Sequence, residues 1–270
     1  MEQITSASYV SGIDLPNEAG NAMSYKDEKR KPDLYESENV VKLDFQNING
    51  TTIEDVQRLL EMQHQFDDFR KLMMEYECAI SEVRTKLDVL NAEMSLRTDR
   101  NPFESIKVRL KSPISIYEKI ERRGYPFTVE SIRDNLHDIA GIRVVCSFID
   151  DIYRLRDYLL QQDDVTLVEE KDYIANPKPN GYRSLHIIIE IPVFMVEGKV
   201  LRRVEVQFRT IAMDFWASLE HKLKYKRDIE NAETIIEELA ISADMVNQLD
   251  RRMQQIREKI DGNTIKEENM

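Results

Sequence analysis

The chain has 270 residues, of which 41% are hydrophobic and 33% charged, so it can bury a core and form one large domain, or one domain with helical additions. Its net charge of −12 argues against a surface that binds nucleic acid over a wide area, although a local basic pocket is compatible with it. The sequence has no apolar run of about 18 residues and no signal-peptide pattern at its start, which predicts a cytoplasmic protein without a membrane span. Cys78 and Cys146 lack metal-site spacing and are predicted to be buried free thiols.

The N-terminal part divides into a polar arm and a helical segment. Residues 1–50 contain few periodic apolar positions, which predicts a mobile arm. Over residues 51–97 the apolar positions recur at helical spacing, which predicts one long helix or two stacked helices. Ser112 followed by Pro113 predicts the start of another helix, which Gly124 ends.

The middle of the chain alternates strand and helix patterns, which predicts an α/β fold. The stretch "DDIYRLRDYLLQQ" predicts a helix with an aspartate cap, and a later helix follows the last strand. The predicted strands are residues 141–148, 165–168, 184–191 and 200–208, and the predicted helices are residues 150–162 and about 212–226.

The C-terminal segment, residues 231–262, is predicted to be a helix. Its apolar residues between 235 and 260 follow a heptad stripe with one polar position, Ser242. Such a stripe needs a partner. The partner is either a second copy of the chain or the helices over residues 51–95 of the same chain.

Two carboxylates are candidates for the chemistry. In the predicted strand 200–208, Glu205 and Gln207 share the face opposite the apolar residues. Asp138 lies just before strand 141–148, and if the two strands are neighbours, Asp138 and Glu205 can converge on a hard divalent cation. The alternative is that each carboxylate caps a helix or pairs with an arginine.

A cationic stretch, "KVRLKSPISIYEKIERRG", stands out in this acidic chain. Arg109 and Lys111 face the same way if the backbone is extended, and Lys119 and Arg122 share a helical face. These side chains can bind a polyphosphate together, or they can form a solvated basic helix. There is no Gly-rich Walker loop and no GxGxxG motif, so side chains would hold the phosphates.

The loop "NGYRSLH", residues 180–186, carries an aromatic ring between polar groups. Tyr182 can stack on a nucleobase, while Lys178, Asn180 and His186 can donate or accept hydrogen bonds. The alternative is an ordinary turn whose aromatic residue fills the core.

Three segments, "HDIAGIRVV", "DYIANPKPNGYRSLH" and "VEVQFRTIAMDFWASLEHKLKYK", resemble the synthetase domain of RelA/SpoT-type enzymes, and specifically the stand-alone small alarmone synthetases. The resemblance spans roughly residues 100–230. It implies transfer of the β,γ-pyrophosphate of ATP to the ribose 3′-hydroxyl of GDP or GTP, giving ppGpp or pppGpp and AMP. It also implies a mixed β-sheet flanked by helices, of the polymerase β-like nucleotidyltransferase type, and a homotetramer.

The resemblance implies roles for the ATP side of the site. Asp138 matches a magnesium-binding aspartate, and Glu205 matches a glutamate that acts as general base and second metal contact. Arg109 and Arg143 would sandwich the adenine. The positions that match ATP-binding residues are Arg109, Lys111, Lys119, Arg122 and Arg143.

The resemblance also implies an acceptor site for GDP or GTP. Tyr182 matches the tyrosine that stacks on guanine. The other positions that match acceptor residues are Lys178, Asn180, His186 and Gln207.

Two rival interpretations remain at this point. His137 and Asp138 could form the metal dyad of an HD phosphohydrolase, but the dyad leads into a strand and the chain has only four histidines, which favours a synthetase without hydrolase activity. The protein could instead be a nucleotide-binding regulatory or RNA-modifying relative on the same fold. The presence of both Asp138 and Glu205 and the acidic composition argue against that.

Overall fold

The computed structural model describes residues 53–98, 100–224 and 232–268. The arm predicted over residues 1–50 lies outside them. The helices are α1 (Ile53–Thr98), α2 (Pro113–Arg123), α3 (Val129–Asn135), α4 (Ile149–Leu160), α5 (Ile211–Lys224) and α6 (Ala232–Glu268). The strands are β1 (Phe103–Leu110), β2 (Ala140–Cys146), β3 (Thr166–Asp172), β4 (Leu185–Met195) and β5 (Gly198–Thr210).

The strands form one mixed sheet in the order β1-β2-β5-β4-β3. β2 and β5 pair in parallel, whereas the other neighbours pair antiparallel. The predicted α/β fold with a mixed sheet flanked by helices is confirmed. The parallel pair matters for the site because it places the start of β2, and Asp138 before it, beside the middle of β5.

One face of the sheet carries the hydrophobic core. Every second residue of β4 and β5 is buried on this face, as alternation requires. The helices α1 and α4 cover it with large buried side chains such as Tyr76 and Leu155. Within this core Arg202 donates from Nε to Glu75 Oε2 at 3.0 Å, a buried ion pair between β5 and α1. The free thiol of Cys146 is buried here, while that of Cys78 is only half-buried.

The predicted helices are found, with one addition. Residues 53–98 form a single long helix, and α2 begins at the Ser112 cap and ends at Gly124, whose φ of 68° suits glycine. The sequence patterns missed α3, a helix of seven residues that Thr128 caps. No described helix is both long and apolar enough to cross a membrane.

The predicted aspartate cap of α4 is wrong. Phe148 is the N-cap residue and makes no side-chain capping bond, while Asp150 lies inside the first turn. Gln254 of α6 caps the helix instead, because its Oε1 accepts the backbone N–H groups of Ile149 (3.1 Å) and Asp150 (3.3 Å). Arg257 of α6 forms a two-bond ion pair with Asp150.

The helix α6 packs on α5 and α4 through one side only. Leu239 and Val246 pack against Trp216 and the buried Ala243. The heptad stripe is therefore split: part of it packs inside the chain, and most of its C-terminal part faces outward. The exposed apolar residues of α6 include Ile241, Met245, Leu249, Met253, Ile256 and Ile260. Among the described helices α5 and α4, rather than α1, are its main partners.

Candidate active site

The face of the sheet opposite the core carries a row of polar side chains across all five strands. The cross-strand partners in this row are Lys107, Arg143, Gln207, His186 and Lys171, from β1 to β3. Residues at the same level on neighbouring strands project to the same face. The sheet therefore builds one polar surface on the side opposite the core, which we call the polar face.

The next row contains the acid at the centre of the polar face. Arg109 pairs with Gly141, and Gly141 pairs with Glu205. Gly141 adds no side chain, and a Cβ atom built on it would lie 3.6 Å from the backbone oxygen of Arg109, an ordinary contact distance. Gly141 therefore leaves the polar face without a side chain between Arg109 and Glu205.

Asp138, just before β2, is held by two lysines. Lys111 Nζ lies 2.6 Å from Oδ2 and Lys119 Nζ lies 2.7 Å from Oδ1 of its carboxylate. Burial opposes ionisation of Asp138, but the two ammonium groups outweigh it and lower its pKa to about 2. Burial lowers the pKa of Lys119, and the Asp138 charge acts against that shift. Lys111 and Lys119 therefore place two ammonium groups around the single carboxylate of Asp138.

Glu205 is held by two groups on the polar face. Gln207 Nε2 donates to Oε2 at 3.0 Å, and His186 Nδ1 lies 3.3 Å from Oε1. Burial acts to raise the pKa of Glu205, the contacts with His186 and Gln207 outweigh it, and the net pKa is lowered. The negative charge of Asp138 acts, like burial, to raise the pKa of Glu205.

The loop 180–186 reaches Glu205 through a hydrogen-bonded chain. Arg209 Nη2 donates to Tyr182 Oη at 2.8 Å, and Tyr182 Oη lies 2.8 Å from His186 Nε2. With the Tyr182 hydroxyl donating to Nε2, His186 carries its proton on Nδ1 and can donate it to Glu205. Lys178 Nζ lies 4.9 Å from the Tyr182 ring centroid. Tyr182 is thus part of a polar network through its hydroxyl, and its ring also packs against the small apolar cluster of Trp216, Ala217 and Ala243.

Asp214, at the start of α5, binds three cations of the polar face. Its carboxylate lies 3.0 Å from Lys107 Nζ, 3.3 Å from Arg143 Nη1 and 3.1 Å from Arg209 Nη1. Burial and the neighbouring charge of Arg209 lower the pKa of Arg143. Neither Arg209 nor Asp214 was among the predicted site residues. Alternation along β5 places Arg209 on the face of Glu205 and Gln207, so the sequence could have predicted its position. The contacts of Asp214 span 71 and 107 residues, and no local pattern predicts them.

The remaining predicted residues lie at the edges of the site. Arg109 and Arg122 are exposed, on β1 and in the last turn of α2. Asn180 Nδ2 donates to Glu220 Oε1 at 3.1 Å. His137 contacts Arg203 Nη1 at 3.2 Å, and the described residues contain no group of three or more His, Cys, Asp or Glu side chains that could hold a metal ion.

Comparison with known proteins identifies the family. Residues 108–230 match the model of the region found in RelA/SpoT proteins. GTP pyrophosphokinase YwaC of Bacillus subtilis strain 168 is 40% identical over 215 residues, which is 80% of this chain and 100% of that protein. The chain belongs to the RelA/SpoT family. The resemblance to this family that the motifs indicated is confirmed.

Solved structures of other RelA/SpoT-type proteins carry nucleotides. Small alarmone synthetase 1 of Bacillus subtilis bound to its product pppGpp has a TM-score of 0.65 and 34% identity, covering 71% of this chain and 97% of that chain. The same synthetase bound to AMPCPP has a TM-score of 0.61 and 31% identity, covering 73% and 99%. The small alarmone synthetases therefore share both sequence and fold with this chain.

Proposed function

We propose that the protein is a GTP pyrophosphokinase, which transfers the β,γ-pyrophosphate of ATP to the 3′-hydroxyl of GDP or GTP and releases AMP. The observation that carries this proposal is the parallel pairing of β2 with β5, which brings Asp138, just before β2, and Glu205, on β5, to neighbouring strands of the face that also holds the loop 180–186. Phosphoryl-group transfer needs charge neutralisation and positioning more than covalent chemistry. This arrangement supplies both.

The ATP side is proposed to be the cationic half of the polar face. Lys111 and Lys119 neutralise Asp138 in this structure and are placed to bind phosphate oxygens as well. Arg109 and Arg143 lie on neighbouring strands two positions apart in register, which supports a role in holding the adenine between them. Arg122 completes the proposed phosphate-binding set from the last turn of α2.

Magnesium is the proposed cofactor, and the donor chemistry of the site fits it. Asp138 and Glu205 would hold the ion, because both have lowered pKa values and are ionised at neutral pH. Mg²⁺ is commonly bound by one or two carboxylates together with substrate phosphates. When bound, the ion would neutralise phosphate charge. The side chains of the protein then orient the two nucleotides.

The acceptor side is proposed to be the loop 180–186 with its neighbours on the polar face. Tyr182 would stack on guanine, and the residues proposed to bind the rest of GDP or GTP are Lys178, Asn180, His186 and Gln207. Glu205 would take the proton of the 3′-hydroxyl as this oxygen bonds to the β-phosphorus of ATP. The bond between the β-phosphorus and the oxygen that bridges the α- and β-phosphates breaks at the same time, and AMP leaves with that oxygen.

The contacts of His137 support synthesis without hydrolysis. The His137 ring faces the guanidinium of Arg203, whose positive charge opposes binding of a metal ion by His137, so His137 does not form a metal dyad with Asp138. The presence of both Asp138 and Glu205, carried by neighbouring strands, also supports turnover over a purely regulatory or RNA-modifying role, since binding alone does not need both carboxylates.

A product assay tests the function. The full chain is incubated with Mg²⁺, γ-labelled ATP and either GDP or GTP, and the products are separated. We expect label in a guanosine nucleotide with two additional phosphates, together with an equal amount of AMP. Label in inorganic phosphate alone, with ADP as the other product, would exclude the proposal.

We further propose that the protein is cytoplasmic and forms a homo-oligomer, with a tetramer as the expected state. The support for assembly is the outward apolar face of α6, on which Met245 is 66%, Leu249 58% and Ile256 42% exposed. Apolar surface of this kind is typical of protein interfaces. Self-association would bury it.

A charge placed on this face is expected to break the assembly. Leu249→Glu combined with Ile256→Glu should lower the sedimentation coefficient at micromolar concentration, because two carboxylates would be buried without partners. Glu258→Ala is the control, since Glu258 is two residues from Ile256, on another side of the helix, and is exposed. A wild-type monomer, or equal sedimentation of all three proteins, would contradict assembly through α6.

A further inference from the structure

Arg183 lies in the loop 180–186 but points away from the polar face, toward α6. Its Nη1 donates to the backbone oxygens of Gly181 (3.3 Å) and Ala243 (3.5 Å), and its Nη2 lies 3.9 Å from Asp244 Oδ1. The side chain is only 15% exposed. Arg183 therefore joins the loop to α6 by contacts on both partners.

Gly181 and α6 make a second contact of unusual closeness. Gly181 has a φ of 82°, and a Cβ atom built on it would lie 2.4 Å from the Cβ of Ala243, a separation that real side chains do not tolerate. It would also lie 3.4 Å from the Cα of Ala240. The contact thus depends on glycine in the loop and on small residues in α6.

The helix α6 is itself fixed to the rest of the fold on both sides of this contact. On one side Trp216 Nε1 donates to the backbone oxygen of Leu239 at 3.1 Å. On the other side Thr210 Oγ1 donates to the buried carboxylate of Asp250 at 2.7 Å. These bonds join α6 to α5 and to the end of β5. The loop therefore packs on a helix that is held in place by the rest of the fold.

Tyr182 stands between the two residues that contact α6. Arg183 contacts Ala243 and Asp244 of α6, whereas the Tyr182 hydroxyl contacts His186 and its ring packs against the cluster that contains Ala243. The chain of contacts from Tyr182 through His186 ends at Glu205. A shift of the loop on α6 would therefore move Tyr182 and disturb the contact of His186 with Glu205.

We propose that Arg183 is a positioning residue and that α6, through Ala243, clamps the loop in the conformation that binds the guanine nucleotide. This inference rests on the proposed function, in which the loop takes GDP or GTP. It assigns α6 a part in acceptor recognition although α6 carries none of the proposed substrate contacts. ATP binding, at the other end of the polar face, should not depend on it.

Steady-state kinetics with each substrate varied in turn test this inference. Arg183→Gln is expected to raise KM for GDP and GTP about tenfold, the scale of lost hydrogen bonds, and to leave KM for ATP within about twofold. Arg183→Lys keeps a charge and a donor and should recover part of the loss. The matched control is Arg154→Gln, which removes an exposed arginine of α4 and should change neither KM. Ala243→Val probes the close contact and should reproduce the selective rise.

The outcomes separate the inference from the function on which it rests. If the wild type transfers no pyrophosphate to either acceptor, the proposed function fails. If the wild type is active and Arg183→Gln leaves KM for the acceptor unchanged, or raises both KM values equally, the inference is overturned and the function stands. Should Arg183→Gln fail to fold, Arg183→Lys and Ala243→Val decide: a selective rise in the acceptor KM supports the clamp, and unchanged values overturn it.

Discussion

Glu205→Gln is expected to lower kcat by roughly 10²-fold or more, the scale of general-base loss. The amide keeps the shape of the side chain but cannot accept the proton of the 3′-hydroxyl. Because the lowered pKa keeps Glu205 ionised, it is ready to accept a proton at neutral pH, and orientation of the hydroxyl matters alongside its basicity. The affinity for ATP should persist, since arginine and lysine side chains are proposed to hold the phosphates. The measurements are kcat and ATP binding on the same preparation.

Thermal unfolding supplies the control for Glu205. Glu205 contacts His186 and Gln207 and not a buried guanidinium, so Glu205→Gln should lower the melting temperature much less than loss of a buried ion pair does. Glu75 is the matched control, because it forms the buried ion pair with Arg202. Glu75→Gln should lower the free energy of unfolding by about 3 kcal/mol or more, since it strands a buried charge. Near-normal synthesis by Glu205→Gln with an unshifted melt would contradict the catalytic assignment.

Asp138→Asn is expected to lower kcat by about 10²–10³-fold, the scale of a lost electrostatic contact in the transition state. The change removes one of the two proposed magnesium ligands and releases Lys111 and Lys119 from their shared carboxylate. The dependence of the rate on Mg²⁺ concentration should also shift to higher concentration. Rates measured across a magnesium titration check both effects.

Asp138→Asn is also expected to lower the stability of the fold, which must be separated from its effect on kcat. The pKa of Asp138 falls from its usual 3.8 to about 2 in the folded protein, so its charge stabilises the fold above pH 4 and this contribution is lost as pH falls through about 2. Asp138→Asn should therefore lower the free energy of unfolding by about 2 kcal/mol at neutral pH, which is less than the loss expected when a fully buried ion pair is broken. Asp134→Asn is the control, because Asp134 is an exposed carboxylate of α3. An unchanged kcat and magnesium dependence, after correction for the folded fraction, would rule out the role of Asp138.

Alternation along a strand allowed half of the site to be predicted. The buried neighbours of Glu205 placed this acid and Gln207 on the face opposite the core, and the structure has them there. The position of Asp138 could not be predicted from alternation alone, because its approach to Glu205 depends on the parallel pairing of β2 with β5. Local pattern does not determine which strands become neighbours. From the sequence, the approach of Asp138 to Glu205 could be predicted only on the assumption that their two strands are neighbours.

The features that the sequence patterns did not predict have different causes. The cap of α4 comes from Gln254, more than 100 residues away, and no local signal marks it. The heptad rule assumes one partner along the whole stripe, whereas α6 turns its first part to α5 and leaves Leu249 and Ile256 exposed. The helix α3 was missed because it has only seven residues and one buried side chain, Ile132.

The position of the new bond tests the proposed reaction most directly. The full chain with Mg²⁺ and γ-labelled ATP is given GDP in one reaction and 3′-deoxy-GDP in the other, and labelled guanosine nucleotide and AMP are measured in both. The account predicts labelled product and an equal amount of AMP with GDP, and neither with 3′-deoxy-GDP, because the analogue lacks the hydroxyl that Glu205 is proposed to deprotonate. Transfer of label to 3′-deoxy-GDP, or no transfer to GDP, would contradict it.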